Sequence, residues 1–242
     1  MENKFKTIGN LIENLKDTFA EKLVSVILYG SCATSTCENN FSDINLIVVI
    51  DNLCATDLKK ASAAIKDFSK TKNPLPLFMD KDEWFNSCDV YPIEYLDIKE
   101  RYSILYGEDI VKPLVIEKTN LRLQCEHEVK NLLIKLRQNY LAKNGNLKAI
   151  EEILKKSSKN YFALFRAILR LTQDNMPLEH AQVIDTFSEK VKIDKEVFLK
   201  LLEFRESSNR LGAKTISKNE YETTIQKLID STNEVLKYID KF

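Results

Sequence analysis

Charge of one sign is missing from this chain: 36 lysines and arginines are matched by 36 aspartates and glutamates, so the formal net charge is zero. No global field then draws it to nucleic acid or to an anionic membrane, and nucleic acid is disfavoured as a partner. Long apolar runs are missing too. No stretch approaches eighteen residues and the start, MENKFKTIGN, has no apolar signal core, so a cytoplasmic protein with no membrane association is expected. Cysteine pairing has no support either: Cys32, Cys37, Cys54, Cys88 and Cys125 are odd in number and contain no Cys-x-x-Cys. Histidine is limited to His127 and His180, neither near Cys32, Cys37 or Cys54, which leaves zinc without a usual ligand spacing. Reduced, packed thiols are the expectation. There is no internal repeat and no low-complexity tract. What is present is 44% hydrophobic and 30% charged over 242 residues, a globular composition long enough for one large core or two modest ones.

The most informative stretch is VSVILYGSCATSTCENNFSDINLIVVI, residues 24–50. Residues 24–29 and 46–50 are short, apolar and β-branched, and read as buried strands. Gly30 and Ser31 stand where the first strand stops. A glycine there lets the backbone turn sharply and approach a ligand, and exposed N–H groups beside it make an anion seat. Asp43 and Asn45 are two apart and share one face of a strand. Two acids at that spacing would hold a divalent metal, but the second is an amide.

This pattern resembles the nucleotidyltransferase signature of the DNA polymerase β-like superfamily, a Gly-Ser pair followed about a dozen residues later by Asp-x-Asp or Asp-x-Glu. The Gly-Ser pair here is Gly30-Ser31, and Asp43-Ile44-Asn45 fills the acidic position. The resemblance covers the first half of the chain. It implies that Gly30 and Ser31 hold nucleotide phosphates, and that Asp43, Asn45 and a third carboxylate bind Mg2+, with a nucleoside triphosphate as co-substrate. The expected third acid lies in residues 91–98, YPIEYLDI, read as a strand that Pro92 confines to its start or to a sheet edge. Glu94 and Asp97 have opposite parity there, so one of them faces the metal. Glu94, flanked by Ile93 and Tyr95, is preferred and Asp97 is the alternative; solvated edge charges are the bland reading of both.

Along the remainder, residues 4–22 and 55–68 carry helical apolar spacing, with Thr56 or Asp57 as a cap. Residues 71–76 are a turn, 77–79 a short strand and 82–87 one helical turn. The Leu-Tyr-Gly-Glu-Asp ending at 105–109 resembles that of several nucleotidyltransferases of this type, with Gly107 turning out of the sheet. Near Pro113 the composition changes. Helical periodicity fills 120–143, 147–172, 178–191, 195–205 and 217–240, and short connections imply an up-and-down bundle. The expected fold is therefore α+β. A nucleotidyltransferase mixed sheet with flanking helices occupies 1–113, and a helical bundle occupies 114–242.

Such a bundle resembles the substrate-binding domain of aminoglycoside nucleotidyltransferases and the HEPN-type partners of minimal nucleotidyltransferases. Arg122 and His127 nominally fit an Arg-x(4–6)-His ribonuclease pair, but Arg122 opens its helix, and solvated helix residues are the better reading. Lys159 and Arg166, seven apart on one helix face beside Tyr161 and Phe165, are candidates for triphosphate or base; the bland reading is a solvated surface.

Two functions follow from the resemblance. One is transfer of a nucleoside monophosphate from a nucleoside triphosphate to a hydroxyl of a small molecule or protein. The other is a catalytically silent nucleotide-binding or protein-interaction module, with a homodimer through the bundle as a further alternative. The difference rests on Asn45. One charge pair at 4 Å is worth about 4 kcal/mol at an effective dielectric of 20, or roughly a thousandfold in rate or metal affinity. Glu38 and Asp97 are the acids available to compensate.

Overall fold

The computed structural model describes residues 2–33, 43–143, 147–173, 176–177, 179–207 and 218–242, with backbone alone at 2–5, 143, 147–150, 156, 159, 204–207 and 218. Two compact units divide at 117/118: Met1–Glu117 and Lys118–Phe242. Glu38 and Cys37 fall outside the described residues.

The first unit is built on a mixed four-stranded sheet of order β3-β2-β1-β4. Its strands are β1 (Leu23–Tyr29), β2 (Asn45–Ile50), β3 (Leu77–Asp80) and β4 (Tyr102–Gly107). Strand β1 is antiparallel to both β2 and β4, whereas β2 and β3 run parallel. Every residue of β2 beyond Asn45 is buried, because successive side chains enter opposite cores. On one face Leu46, Val48 and Ile50 meet Leu11, Leu15 and Phe19 of α1 (Glu2–Phe19) and Ala61 and Ala64 of α2 (Ala55–Ala64). On the other, Ile27, Ile47, Val49 and Met79 pack with Trp84 of α3 (Lys81–Asn86), with Tyr95 and Ile98 of α4 (Pro92–Glu100), and with Val111 and Leu114.

Helix α4 corrects the strand expected over 91–98. Pro92 sits in the first helical turn, where its fixed φ suits a helix and its missing N–H has no partner to lose. Pro92, Tyr95 and Ile98, each three apart, are buried together with Ile93. The Tyr95 hydroxyl donates to the Trp84 carbonyl at 2.7 Å, and burial pushes its pKa up. The strand pairing with β1 is instead β4, in a segment expected only to leave the sheet. Gly107 ends it with φ +81, and a Cβ there would lie 2.0 Å from the Val24 carbonyl oxygen. Only glycine tolerates that approach.

At the far end of the sheet from the Gly-Ser turn, Cys54 is the N-cap of α2 and Asp57 reaches back to its backbone N–H at 3.3 Å. Lys22 donates to the same carboxylate at 2.5 Å. That partner, first, and the Cys54 thiol, second, hold the Asp57 carboxyl down to about 2.

The second unit is helical: α5 (Lys118–Lys143), α6 (Leu147–Leu169), α7 (His180–Lys190), α8 (Lys195–Ser207) and α9 (Lys218–Ile239). Helix α6 packs against each of the other four. Its core stacks Phe165 on Phe187 at 4.0 Å and sets Phe198 edge-on to Phe165 and Tyr161. Among the described residues no helix is long and apolar enough to cross a membrane.

Candidate functional site

The sheet brings the Gly-Ser turn and the Asp-x-Asn segment together at one tip. Tyr29, the last residue of β1, is opposite Asn45, the first of β2, and opposite Tyr102, the first of β4. Gly30 follows with φ +80, a left-handed conformation that favours glycine. A Cβ placed on Gly30 would stand 3.3 Å from Nδ2 of Asn45, so the amide end of Asn45 lies directly beside this glycine. The structure thus joins Gly30 and Asn45 in one place.

Three features of the tip were not expected. First, the Gly30 N–H donates to the Arg101 carbonyl at 3.0 Å and so does not face an anion. The Asn45 amide puts a polar group on this side of the turn. Second, Arg101, which caps the C-terminus of α4, is held against Gly30 by that bond. Third, the Ile44 N–H, between Asp43 and Asn45, donates to Oδ1 of Asn73 at 3.0 Å. Asn73 is steadied by its own Nδ2, which donates to Thr71 Oγ1 at 3.0 Å, while Thr71 donates to the Phe68 carbonyl at 2.7 Å. Asn73 therefore positions the Asp-x-Asn segment from the β3 side. The Asn-Pro pair at 73–74 was readable as a turn, but its acceptor role needed the fold.

Asp43 and Ser31 are exposed at the tip, Asn45 is half-buried, and Cys32 is buried in the core beneath. The half-buried Tyr29 hydroxyl has its pKa raised by desolvation. Glu94 and Asp97 are both exposed on α4. On a helix a spacing of three puts them on the same face, so the parity argument that separated them on a strand does not apply. The parallel register Ile47–Leu77 sets Leu75 and Pro76, not an acid, on the β3 side nearest Asn45.

A magnesium ion takes one or two carboxylates together with substrate phosphates and keeps several waters. By donor chemistry, the Asp43 carboxylate and the Asn45 side-chain carbonyl would suit one such ion. They fall short of a three-acid site: among the described residues no three His, Cys, Asp or Glu side chains gather into a metal cluster.

In the second unit, Tyr161 and Phe165 are 2% and 1% exposed, so neither presents a surface to a nucleotide as expected. The Tyr161 hydroxyl is 2.6 Å from Thr232 Oγ1 inside the core. Arg166 is half-buried in the last turn of α6, and the Lys159 side chain lies outside the described residues. Arg122 pairs with Glu126 at 2.7 Å and the His127 side chain is 69% exposed beside Asn131, which is how solvated helix residues behave.

No protein-family model matches the chain, and the search for similar curated proteins found no match. Among solved structures it resembles the spectinomycin adenyltransferase AAD(9) from Enterococcus faecialis, crystallised with ATP and spectinomycin. The TM-score is 0.58 at 14% identity, over 95% of this chain and 99% of that one. At that identity the likeness shows the fold alone: a mixed sheet with flanking helices followed by a helical unit.

Proposed function

We propose that the protein binds a nucleoside triphosphate at the Gly30–Asn45 tip and transfers its nucleoside monophosphate to a hydroxyl of a small molecule or protein, breaking the α–β phosphoanhydride bond and releasing pyrophosphate. The observation that carries this reading is the meeting of Gly30 and the Asn45 amide at the ends of β1 and β2. It is supported by a fold shared with an enzyme whose crystal structure contains ATP and a small-molecule acceptor. Ser31 and the turn beyond Gly30 hold phosphate oxygens, and Nδ2 of Asn45 adds a donor on the same side. The exposed Asp43 carboxylate accepts the proton of the attacking hydroxyl, a role worth about 10²–10⁴-fold. Asp43 and the Asn45 carbonyl, with Glu94 or Asp97 as further acid, would hold a Mg2+ ion, which would supply neutralising charge at the phosphates. Lys159 and Arg166 stay candidates for nucleotide contact by residue type, and the helical unit is assigned the choice of acceptor.

A second reading, a silent nucleotide-binding or interaction module, is favoured by one specific observation: the amide at position 45, with no cluster of three acids among the described residues. Labelled nucleoside triphosphates offered with a panel of hydroxyl acceptors separate the two. The transfer reading expects label on an acceptor with Mg2+ present, and more of it in Asn45→Asp. Nucleotide binding without transfer in either form would leave the silent module.

A further inference from the structure

A basic residue, Arg101, is joined to this tip through its backbone. Arg101 is fixed to the turn by its own backbone, since its carbonyl accepts the Gly30 N–H at 3.0 Å and its neighbour Tyr102 opposes Tyr29. Its side chain is half-buried and makes no hydrogen bond or ion pair among the described residues. A partly desolvated guanidinium presents five donors in a planar fork suited to phosphate, and burial without an anion is unfavourable. The acid on its own helix face, Asp97, lies four residues earlier and is not its partner. Among the described residues Asp43 is an exposed acid at the same tip, and Glu100, next to Arg101 in sequence, is exposed as well. Across the strand, the place of a second carboxylate is taken by an amide whose Nδ2 lies against Gly30. An amide in place of that carboxylate takes one negative charge away from the tip, whereas three carboxylates would repel a triphosphate until a cation offset them.

We propose that this tip holds a triphosphate through the Arg101 guanidinium and the Asn45 amide, so that nucleotide binding requires no divalent cation. The inference rests on nucleotide binding at the tip, which the transfer reading and the nucleotide-binding form of the silent reading share. It makes Arg101 a binding residue and Asn45 a phosphate donor, and it confines any metal requirement to the transfer step.

Isothermal titration with ATP in EDTA, repeated in excess Mg2+, tests it on the full chain. The wild type is expected to bind with affinities within about threefold in the two conditions. Arg101→Ala should lose at least tenfold in EDTA, and Arg101→Lys should keep most of the affinity. Asn45→Asp should lose at least tenfold in EDTA and recover in Mg2+, because a carboxylate there repels phosphate until a cation is present. Thermal unfolding establishes that each variant is folded, and Arg101→Gln, which keeps the backbone and the stem, replaces Arg101→Ala if the latter is not. ATP binding that appears only with Mg2+ would overturn the inference and leave the nucleotide-binding reading in place. So would Arg101→Ala or Arg101→Gln binding ATP in EDTA as tightly as the wild type. Absence of binding by all four ribonucleoside triphosphates in both conditions would remove the inference and the reading beneath it together.

Discussion

Replacing Gly30 by alanine isolates the geometry of the tip with the smallest chemical change available. Two costs follow from the structure. The residue has φ +80, where a Cβ meets its own backbone at a cost of about 1–2 kcal/mol. The added methyl would also sit 3.3 Å from Nδ2 of Asn45, tighter than an ordinary contact. The side-chain amide can rotate away, so this second term adds little to stability, but it moves the donor proposed to bind phosphate. Hydrogen bonds to charged groups are worth about 1.5–3 kcal/mol, or roughly 10–150-fold in affinity. Thermal unfolding should therefore show a fall of about 2–8 °C, and titration with ATP an affinity loss of at least tenfold. Gly9→Ala is the matched control. It lies in α1 with nothing within 4 Å of its would-be Cβ, and alanine favours a helix by about 1 kcal/mol, so stability should hold or rise with binding unchanged. A Gly30→Ala protein with unchanged melting and unchanged ATP affinity would refute the reasoning.

The remaining predictions concern what supports the tip and what holds the sheet behind it. Gly107→Ala should cost at least about 2–3 kcal/mol, because its Cβ would press on a backbone carbonyl that cannot rotate away; a melting temperature within two degrees of wild type would contradict this. Asn73→Ala should leave the Ile44 N–H without its acceptor, at about 1–3 kcal/mol, and weaken ATP binding. Asn73→Asp, which keeps an acceptor, should restore folding stability, and equal stability of the alanine and aspartate forms would tell against the role. Asp57 is held down to about 2 in the folded protein against about 3.9 unfolded, so its stabilising effect is present above pH ~4 and lost as pH falls toward 2. Asp57→Asn should therefore lower stability at neutral pH and flatten the acid limb of a pH–melting curve, and an acid limb identical to wild type would contradict the assignment.

The parts of this fold that the sequence made legible are those where one physical signal dominated. Strands β1 and β2 were readable because each is a short apolar, β-branched run, and the sheet buries β2 on both faces. The long helices of the second unit were readable from sustained 3.6-residue periodicity. YPIEYLDI was misread because its apolar residues satisfy both periods over so short a span, and only Pro92 in the first turn and the packing of Tyr95 on Trp84 decide for helix. Strand β4 was missed because all six of its residues are half-buried or exposed, which leaves no clean alternation. At the site, Gly30, Asp43 and Asn45 were legible as a spacing. Arg101 and Asn73 were not, because each acts through a single backbone bond across chain gaps of 71 and 29 residues that only the folded sheet closes. Tyr161 and Phe165 show the reverse error: aromatics beside a basic stripe looked like a binding face and proved to be core.

Hydrogen exchange followed by mass spectrometry, with and without saturating ATP, tests the central claim most directly. The account predicts slower exchange in peptides spanning Tyr29–Ala33, Asp43–Asn45 and Arg101–Tyr102, and loss of that protection in Gly30→Ala. Protection confined to other segments, or none at ATP concentrations that saturate binding, would contradict it.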